Sequence, residues 1–308
     1  MTAAPQDVEH LARLRDAARA TKDFAAADAL RERIREAGFE VTDAPDGPRL
    51  SPLPAGDAAP ERQGPPAVVS LLDQPAVFDA SVHWIVEGWP DDVRRGIASF
   101  DRHHPNVRVQ HVVVDLIGSG LGASSDGVEV VSLTEGTGWA GARNAGLIRS
   151  LGRVVLVMDG SVEATGDVVA PLAEALEDPT VGITGPFGIV TDDLREFRES
   201  PGPDVDAIEA YLAAFRRDLL ADGLRFDERF RFYRSADIEL SFQILARGLR
   251  ATVTPVPVTR HEHRMWTATP AGRRDALSKR NYYRFLDRWR PRFDLTLAGG
   301  RERRDPSP

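Results

Sequence analysis

The chain contains no cysteine, and this absence removes several kinds of chemistry at once. Disulfide bonds, thiolate nucleophiles and zinc sites with thiolate ligands all require that side chain. Lysine is nearly absent as well, because Lys22 and Lys279 are the only lysines among 39 basic residues. We ascribe this preference for arginine to genome composition and give little weight to phosphate recognition.

Long apolar runs are also lacking. No segment approaches the ~20 apolar residues that a bilayer-spanning helix needs, and Met1–His10 carries acidic side chains where a signal peptide has an apolar core. The formal net charge of -8 disfavours a general attraction to nucleic acid or to an anionic membrane surface. The sequence therefore predicts a cytoplasmic protein with no transmembrane segment.

The first 50 residues predict a small helical hairpin followed by two short strands. Apolar residues recur at helical spacing over Val8–Ala18 and again over Phe24–Ile34. Gly38 is placed to end the second helix, and Phe39–Leu50 has the pattern of a β-hairpin that turns at Asp46-Gly47.

Composition then indicates the domain boundaries. Residues 51–66 are rich in Pro, Ala and Gly with almost no large apolar side chain, which is typical of a linker. We predict the hairpin unit at 1–50, this linker, a larger domain at 67–295 and a disordered tail at 296–308.

The larger domain alternates apolar strand patterns with helical patterns, which favours an α/β fold with a mostly parallel sheet covered on both faces. Strands are predicted at Val82–Val86, Val109–Val114, Val128–Ser132, Val154–Met158 and Ala251–Val258. Helices are predicted from Asp91, Trp139 and Asp167, and over Val205–Leu220, Ile238–Ala246 and Asp275–Trp289.

The strongest functional signal is a loop rich in Gly and Ala, Gly138–Gly146, beside a strand that ends in Asp159. Small side chains allow the backbone to approach a ligand closely, and the following helix could aim its free N–H groups at negative charge. This arrangement suits a nucleotide diphosphate.

Acidic residues follow three predicted strands, at Glu87, Asp115 and Asp159. Ligands of open α/β sheets bind outside the carboxyl ends of the strands. Any one of these carboxylates could be an ordinary solvated loop residue, but three at one edge are expected of a site for ribose and a metal diphosphate.

A competing motif, Gly118–Ala123, resembles the dinucleotide-binding fingerprint. That fingerprint must open a helix, whereas a β-like run follows here. We therefore predict a loop and disfavour an NAD enzyme.

Six landmarks follow one another along the chain: the strand Ser81–Val86, the strand end Val112–Asp115, the G-x-x-x-A-R-N-x-G segment Gly138–Gly146, the D-x-D position Asp159–Ser161, the G-x-F-D-E-x-F-like segment Gly223–Phe230 and the E-D position Ala236-Asp237. With these landmarks the chain resembles, over about residues 81–290, a family 2 glycosyltransferase with the GT-A fold, which is Rossmann-like with a mostly parallel sheet flanked by helices.

The resemblance implies a hexosyltransferase-like enzyme that moves a sugar from a nucleotide-diphosphate donor to an acceptor hydroxyl. Asp237 would be the general base of an inverting displacement. Glu87, Asp115, Arg143 and Asp159 would lie on the donor side, with a salt bridge between loop and sheet as an equal alternative for Arg143. The acceptor itself is left open by the sequence.

Two departures from the family pattern bear on a divalent cation, Mn or Mg. Ser161 replaces the second Asp of D-x-D and Ala236 replaces the Glu of E-D, so both changes remove negative charge. The resemblance suggests Asp159 and His263 as metal ligands, while His261 is more readily interpreted as a surface histidine.

On the acceptor side, the resemblance points to Asp227, Glu228 and Glu239. Trp266 could stack on a sugar or belong to the core, and we slightly favour the core.

Residues 14–50 also resemble the C-terminal tail of cysteinyl-tRNA synthetases. The synthetase nucleotide-binding motifs and zinc-binding cysteines are missing, which excludes aminoacylation. The hairpin could contact RNA, but packing on a neighbouring domain or on another copy is favoured.

The main alternative to catalysis is a GT-A-like protein that binds a nucleotide, protein or RNA partner without turnover. The losses at Ser161 and Ala236 support it. Retention of Asp237 and Glu239 favours the enzyme.

Overall fold

The computed structural model describes residues 6–36, 39–44, 47–52, 64, 67–121, 127–134 and 136–301. These residues belong to two compact units, Met1–Pro60 and Glu61–Pro308. The predicted stop at Gly38, the turn residue Asp46, most of the linker and the tail beyond residue 301 lie outside the described ranges. Among the described residues, no helix combines the length and the apolar character needed to cross a bilayer.

The first unit confirms the predicted order of two helices and a hairpin: α1 (Gln6–Ala20), α2 (Phe24–Glu36), β1 (Phe39–Ala44) and β2 (Gly47–Pro52). The two strands pair antiparallel. Val8, Ile34 and Val41 belong to its small buried cluster. Arg15 is buried beside them and donates to the Asp43 carboxylate at 2.6 Å, so its charge is compensated.

The second unit is built on an eight-stranded sheet of β3 (Phe78–Val86), β4 (Val109–Asp115), β5 (Val128–Ser132), β6 (Gly152–Met158), β8 (Val181–Gly185), β11 (Asp204–Val205), β13 (Leu212–Arg216) and β14 (Arg250–Val253). The order of the strands in the sheet is β11-β14-β8-β13-β6-β3-β4-β5. The pairs β3–β4, β3–β6, β4–β5 and β8–β14 are parallel, whereas β13 runs antiparallel between β6 and β8.

Helices cover both faces of this sheet, as predicted. They are α3 (Pro90–His103), α4 (Trp139–Leu147), α5 (Val169–Ala175), α6 (Asp218–Ala221), α7 (Ala236–Leu245), α8 (Arg264–Ala268) and α9 (Ala271–Trp289), followed by a 3-10 turn at Arg290–Leu295. Alternate residues of β6 enter different core clusters: Val155 and Val157 pack with α7 and α9, whereas Leu156 packs with α3 and α5.

Short strands complete the unit: β7 (Val162–Ala164), β9 (Gly188–Thr191), β10 (Phe197–Ser200), β12 (Ala207–Ile208) and β15 (Val258–Arg260). They form a three-stranded sheet in the order β10-β9-β12 and a ribbon of β15 with β7. The predicted strand Ala251–Val258 is therefore wrong in its extent, because β14 ends at Val253 and β15 starts a separate ribbon.

The predicted helix Val205–Leu220 is also wrong. The segment contains the end of β11, all of β12 and β13, and three of the four residues of α6. Its apolar residues Val205, Ile208, Leu212 and Phe215 follow helical spacing, yet all four are fully buried in sheets. Pairing of β13 with both β6 and β8 outweighed the local preference for helix.

Candidate active site at the carboxyl edge of the sheet

The sheet topology collects the candidate residues at one edge. The parallel strands β3, β4 and β6 end there, and Glu87, Asp115 and Asp159 lie at or directly after those ends. Because β13 is antiparallel to β6, its beginning lies at the same edge. The Asp159 N–H donates to the Tyr211 carbonyl at 3.0 Å, which joins the two segments directly.

Asp159 forms an ion pair with His263, with 3.4 Å between Oδ2 and Nε2. Its Oδ1 accepts hydrogen bonds from the Ser161 N–H at 2.8 Å and from the Ser161 hydroxyl at 2.5 Å. Burial works to raise the pKa of Asp159, but His263 and Ser161 outweigh it and hold that pKa below its ordinary value. The same pairing raises the pKa of His263 against the opposing effect of burial.

His263 is fixed in place by its surroundings. Its Nδ1 accepts the Trp266 backbone N–H at 3.2 Å, which caps α8, and its ring packs on Tyr233 with centroids 4.5 Å apart. His261 turns instead to Glu163, at 3.1 Å, so the two histidines face different carboxylates.

Glu87 and Arg143 lie beneath this pair. Burial, with a smaller effect of Asp159, raises the pKa of Glu87 to about 7 although Arg143 opposes the shift. Burial lowers the pKa of Arg143 to about 10. The Arg143 guanidinium donates to the carbonyls of His83 and Met158 at 2.9 and 3.2 Å, so it ties α4 to β3 and β6.

The start of α4 differs from the expected anion site. The N–H groups of Trp139 and Ala140 donate to the carbonyls of Arg231 and Phe230, each at 3.2 Å, and are not free for a ligand. The small residues of the helix serve packing against the sheet, since a Cβ on Gly146 would lie 2.8 Å from Val114. The segment that resembles the acceptor motif thus caps this helix.

Asp237 lies in the first turn of α7 and accepts two backbone hydrogen bonds, from Ala210 at 3.1 Å and from Ile238 at 2.9 Å. Burial raises the pKa of Asp237 above its ordinary value, although these bonds act against the shift. The preceding residue, Ser235, has a φ of 64°, a left-handed conformation that is costly for a side chain with a Cβ. Strain at this position accompanies the placement of Asp237.

Sequence reasoning missed Glu209, which lies one residue before the Asp237 partner Ala210. Burial and the charge of Asp237 raise the pKa of Glu209 to about 7, while Arg260 and Arg234 oppose the shift. The misassigned helix concealed this residue, because a helical pattern gave no reason to place it at the edge of the sheet.

Two adjoining cavities occupy this edge, with volumes of about 290 and 60 Å³. The larger is lined by Glu209, Asp237, Arg234 and Arg260, and the smaller by Glu87. Both cavities share Trp139, Asp159, Tyr233 and His263. The Asp159–His263 pair therefore lies at the boundary between them.

The other predicted residues lie outside the two linings. The buried Asp115 carboxylate accepts hydrogen bonds from its own loop, from Ile117 at 3.0 Å and from Ser119 at 2.7 Å. Asp227 pairs with Arg229 at 2.5 Å. These carboxylates are satisfied within the protein.

The remaining acceptor-side candidates also have protein partners. Glu228 accepts from Asn144 at 3.2 Å, and the buried Glu239 accepts from Arg288 at 2.5 Å. Trp266 is half-buried between the guanidinium groups of Arg234 and Arg274, 5.3 and 4.1 Å from its ring centre. The slight preference for a core position of Trp266 is wrong, because its ring packs on arginines and not within an apolar cluster.

The residues of the site fit a divalent cation in part. Within the described ranges, no group of three or more His, Asp and Glu side chains is arranged to hold a metal. Asp159 and His263 are nevertheless adjacent, and one carboxylate with one imidazole suits a transition-metal cation such as Mn better than the harder Mg, with its remaining ligands supplied by a diphosphate and water. The donor set fits a cation bound together with a nucleotide.

Residues 111–237 match the model of glycosyl transferase family 2. The matched region begins in β4 and ends at Asp237, so it includes Asp115, Arg143 and Asp159.

Solved structures give the fold. The crystal structure of GalNAc-T7 with UDP, GalNAc and Mn2+ superposes with a TM-score of 0.59 at 18% identity, covering 70% of this chain and 50% of that one. This chain therefore spans half the length of that protein. The chain has the GT-A fold.

Two further structures are more distant. The mannosyltransferase PcManGT from Pyrobaculum calidifontis, in complex with GDP-Man and Mn2+, gives a TM-score of 0.48 at 21% identity, covering 75% of this chain and 72% of that one. S. aureus TarS gives 0.45 at 14% identity, with coverages of 70% and 74%.

Proposed function

We propose that the protein is a glycosyltransferase that moves a sugar from a nucleotide-diphosphate donor to an acceptor hydroxyl with inversion. One observation carries the proposal: Asp159 and Asp237 line the same cavity and both bond to the backbone of a single segment, Glu209–Tyr211. The two carboxylates to which we assign the donor side and the base therefore line one space.

Asp237 is assigned as the general base. As the acceptor oxygen attacks the anomeric carbon, its proton passes to the Asp237 carboxylate, and the bond to the diphosphate breaks on the opposite face. Burial raises the pKa of this carboxyl and makes it a stronger base, while the Ala210 N–H holds one of its oxygens in place. Direct displacement of this kind inverts the anomeric centre.

Asp159 and His263 are assigned to a divalent cation, Mn or Mg. When bound, the cation would neutralise charge that develops on the departing diphosphate. Ser161 orients Asp159 through two hydrogen bonds and so substitutes in part for the missing carboxylate of the D-x-D pattern. GalNAc-T7, which shares the fold, was solved with UDP and Mn2+, and this supports a nucleotide donor here.

Other assignments remain proposals of narrower scope. Glu87 lines the smaller cavity and suits a contact with the donor, whereas Asp115 would have to exchange bonds to its own loop for a nucleoside contact. Arg143 would contribute to the donor side electrostatically, because its positive charge lies near the carboxyl groups of Asp159 and Glu87. Transfer of a hexose, a cytoplasmic location and the synthetase-like character of residues 14–50 also remain predictions.

The test compares Asp237→Asn with Asp218→Asn, an aspartate variant on the exposed side of α6. Uridine, guanosine, thymidine and adenosine diphosphate sugars are titrated with and without Mn2+, and thermal stability reports donor binding. Asp237→Asn is expected to keep the donor shift and to lose transfer, while the control keeps both. Normal turnover by Asp237→Asn would show that the base is another residue.

A second function, nucleotide binding without turnover, is favoured by one observation. The single acidic residue retained at the D-x-D position is already paired with His263 and Ser161. A donor-induced shift without hydrolysis or transfer to any acceptor would support this alternative.

A further inference from the structure

Two arginines of the larger cavity, Arg234 and Arg260, are held by aromatic rings. The Arg234 guanidinium lies 5.3 Å from the ring centre of Trp266, and the Arg260 guanidinium lies 4.8 Å from that of Tyr211 and 5.4 Å from that of Phe187. Stacking of this kind orients the planar group and leaves the N–H groups at its edge available.

Neither guanidinium has an ion pair within 4.0 Å or a side-chain hydrogen bond in the part of the chain that the structure describes. Neighbouring arginines behave differently. Arg264 pairs with Asp92 at 3.4 Å, and Arg95 pairs with both Asp92 and Glu163. The two cavity arginines thus stand apart from the paired arginines nearby.

Both arginines line the cavity that contains Asp237. Arg234 precedes the left-handed Ser235 at the start of α7, and Arg260 ends β15 against the Tyr211 ring. The two cationic groups come from separate elements and meet at one space, as expected of groups that bind a shared ligand.

The simplest competing explanation is that the arginines only neutralise the acids of the cavity. Their charges do act on Glu209, yet neither comes within ion-pair distance of it. Asp159 already has His263 as its partner. Burial and the charge of Asp237 raise the pKa of Glu209 to about 7, so this acid carries less than a full negative charge near neutral pH. Within the described residues neither arginine forms an ion pair with Asp237, so the N–H groups of both remain available for a ligand.

We propose that the acceptor carries an anionic group, a carboxylate or a phosphate, which Arg234 and Arg260 bind while its hydroxyl faces Asp237. The inference rests on the proposed transfer, whose base it shares. A volume of about 290 Å³ is at the lower end for ligand pockets and suits a small hydroxylated anion. Guanidinium groups match both carboxylate and phosphate oxygens in geometry.

The experiment measures binding of three probes by calorimetry: glucose 6-phosphate, glucuronate and glucose. The probes share a sugar ring and differ in their anionic group. Wild-type protein with UDP and Mn2+ is expected to bind at least one anionic probe more than about tenfold more tightly than glucose. Equal binding of all three probes, or binding of none, would rule out a soluble anionic acceptor. The proposal is then overturned if acidic lipid vesicles do not bind either.

Arginine variants test whether the anionic probe binds at Arg234 and Arg260. Arg234→Gln and Arg260→Gln are each expected to weaken binding of the anionic probe by about tenfold or more and to leave binding of glucose unchanged. Arg247→Gln, which removes the same charge from an exposed residue after α7, is the matched control and is expected to bind as wild type. Undiminished binding of the anion by the Arg234→Gln/Arg260→Gln double variant would overturn the assignment.

A lipid arm separates two sources of the same chemistry. Vesicles of phosphatidylcholine with and without phosphatidic acid are sedimented with the wild type and with the double variant. Arginine-dependent binding of the acidic vesicles would place the anion on a lipid, whereas binding of the soluble probes would place it on a free acceptor.

Failure of this inference is distinct from failure of the proposed function. Nucleotide-sugar binding depends on the donor side and is measured first, by thermal shift. A protein that binds a donor and transfers sugar to neutral acceptors alone would refute the anionic acceptor and keep the glycosyltransferase. A protein that binds no donor would refute the transfer instead.

Discussion

Replacement of Glu209 by Gln provides a direct test of the electrostatics of the larger cavity. Burial and the charge of Asp237 raise the pKa of this carboxyl from 4.5 to about 7. The folded protein therefore holds the Glu209 proton more tightly than the unfolded chain does. Between pH 4.5 and 7 the folded state binds more protons, so this group reduces the free energy of unfolding as the pH rises.

The magnitude follows from the size of the pKa difference. Each pH unit between the folded and unfolded pKa corresponds to about 1.4 kcal/mol, which sets an upper limit of about 3 kcal/mol for the loss between low and neutral pH. Glu209 is only half-buried, so solvent screens the effect. We expect the free energy of unfolding of the wild type to fall by about 1–2 kcal/mol between low and neutral pH because of this group. The Gln variant should not show this fall.

The assay is urea denaturation at pH 5 and at pH 8 for the wild type, Glu209→Gln and Glu199→Gln. Glu199 lines the same cavity but is exposed, so its variant controls for the loss of one charge. Glu209→Gln should gain stability relative to the wild type at pH 8 and gain little at pH 5. The reasoning is refuted if the two proteins show the same dependence on pH.

Further predictions concern the donor side and the sheet beneath it. Arg143→Met leaves two buried carbonyls and Glu87 without their cationic partner, and thermal unfolding should show a loss of about 3 kcal/mol or more. His263→Ala should remove the Mn2+ dependence of the donor-induced thermal shift, whereas His261→Ala should retain it; equal effects of the two variants would contradict the metal assignment. Gly152→Ala would bring its Cβ against the backbone of Ser81 and should destabilise the sheet by about 1–3 kcal/mol in denaturation experiments.

The sheet edge could be predicted because its signals are local. Apolar runs identify β5 at its observed bounds, Val128–Ser132, and place Glu87 and Asp159 directly after their strands. Parallel pairing then brings these ends together without any further information. The Asp159–His263 contact was expected only from the family resemblance, since 104 positions separate the two residues along the chain.

The side-chain contacts at this edge could not be predicted from local signals. The direction of a side chain there depends on which tertiary neighbour it can reach, and the local sequence does not identify that neighbour. Asp115 turns to its own loop, and Arg143 turns inward to strand carbonyls. The free N–H groups expected at the start of α4 are taken by the carbonyls of Phe230 and Arg231, which approach from a segment about 90 residues later.

The misassigned segment matters most for function, because Glu209–Tyr211 connects the two halves of the site. The Ala210 N–H holds Asp237, the Tyr211 carbonyl holds the backbone of Asp159, and the Tyr211 ring supports Arg260. A helix over this segment would use those backbone groups internally and leave the two acids unconnected. In the structure Glu209–Tyr211 is the turn between β12 and β13, so its backbone groups are available to neighbouring segments. Three consecutive residues therefore tie the Asp237 carboxylate to the backbone of Asp159, the two groups to which we assign the base and the donor cation.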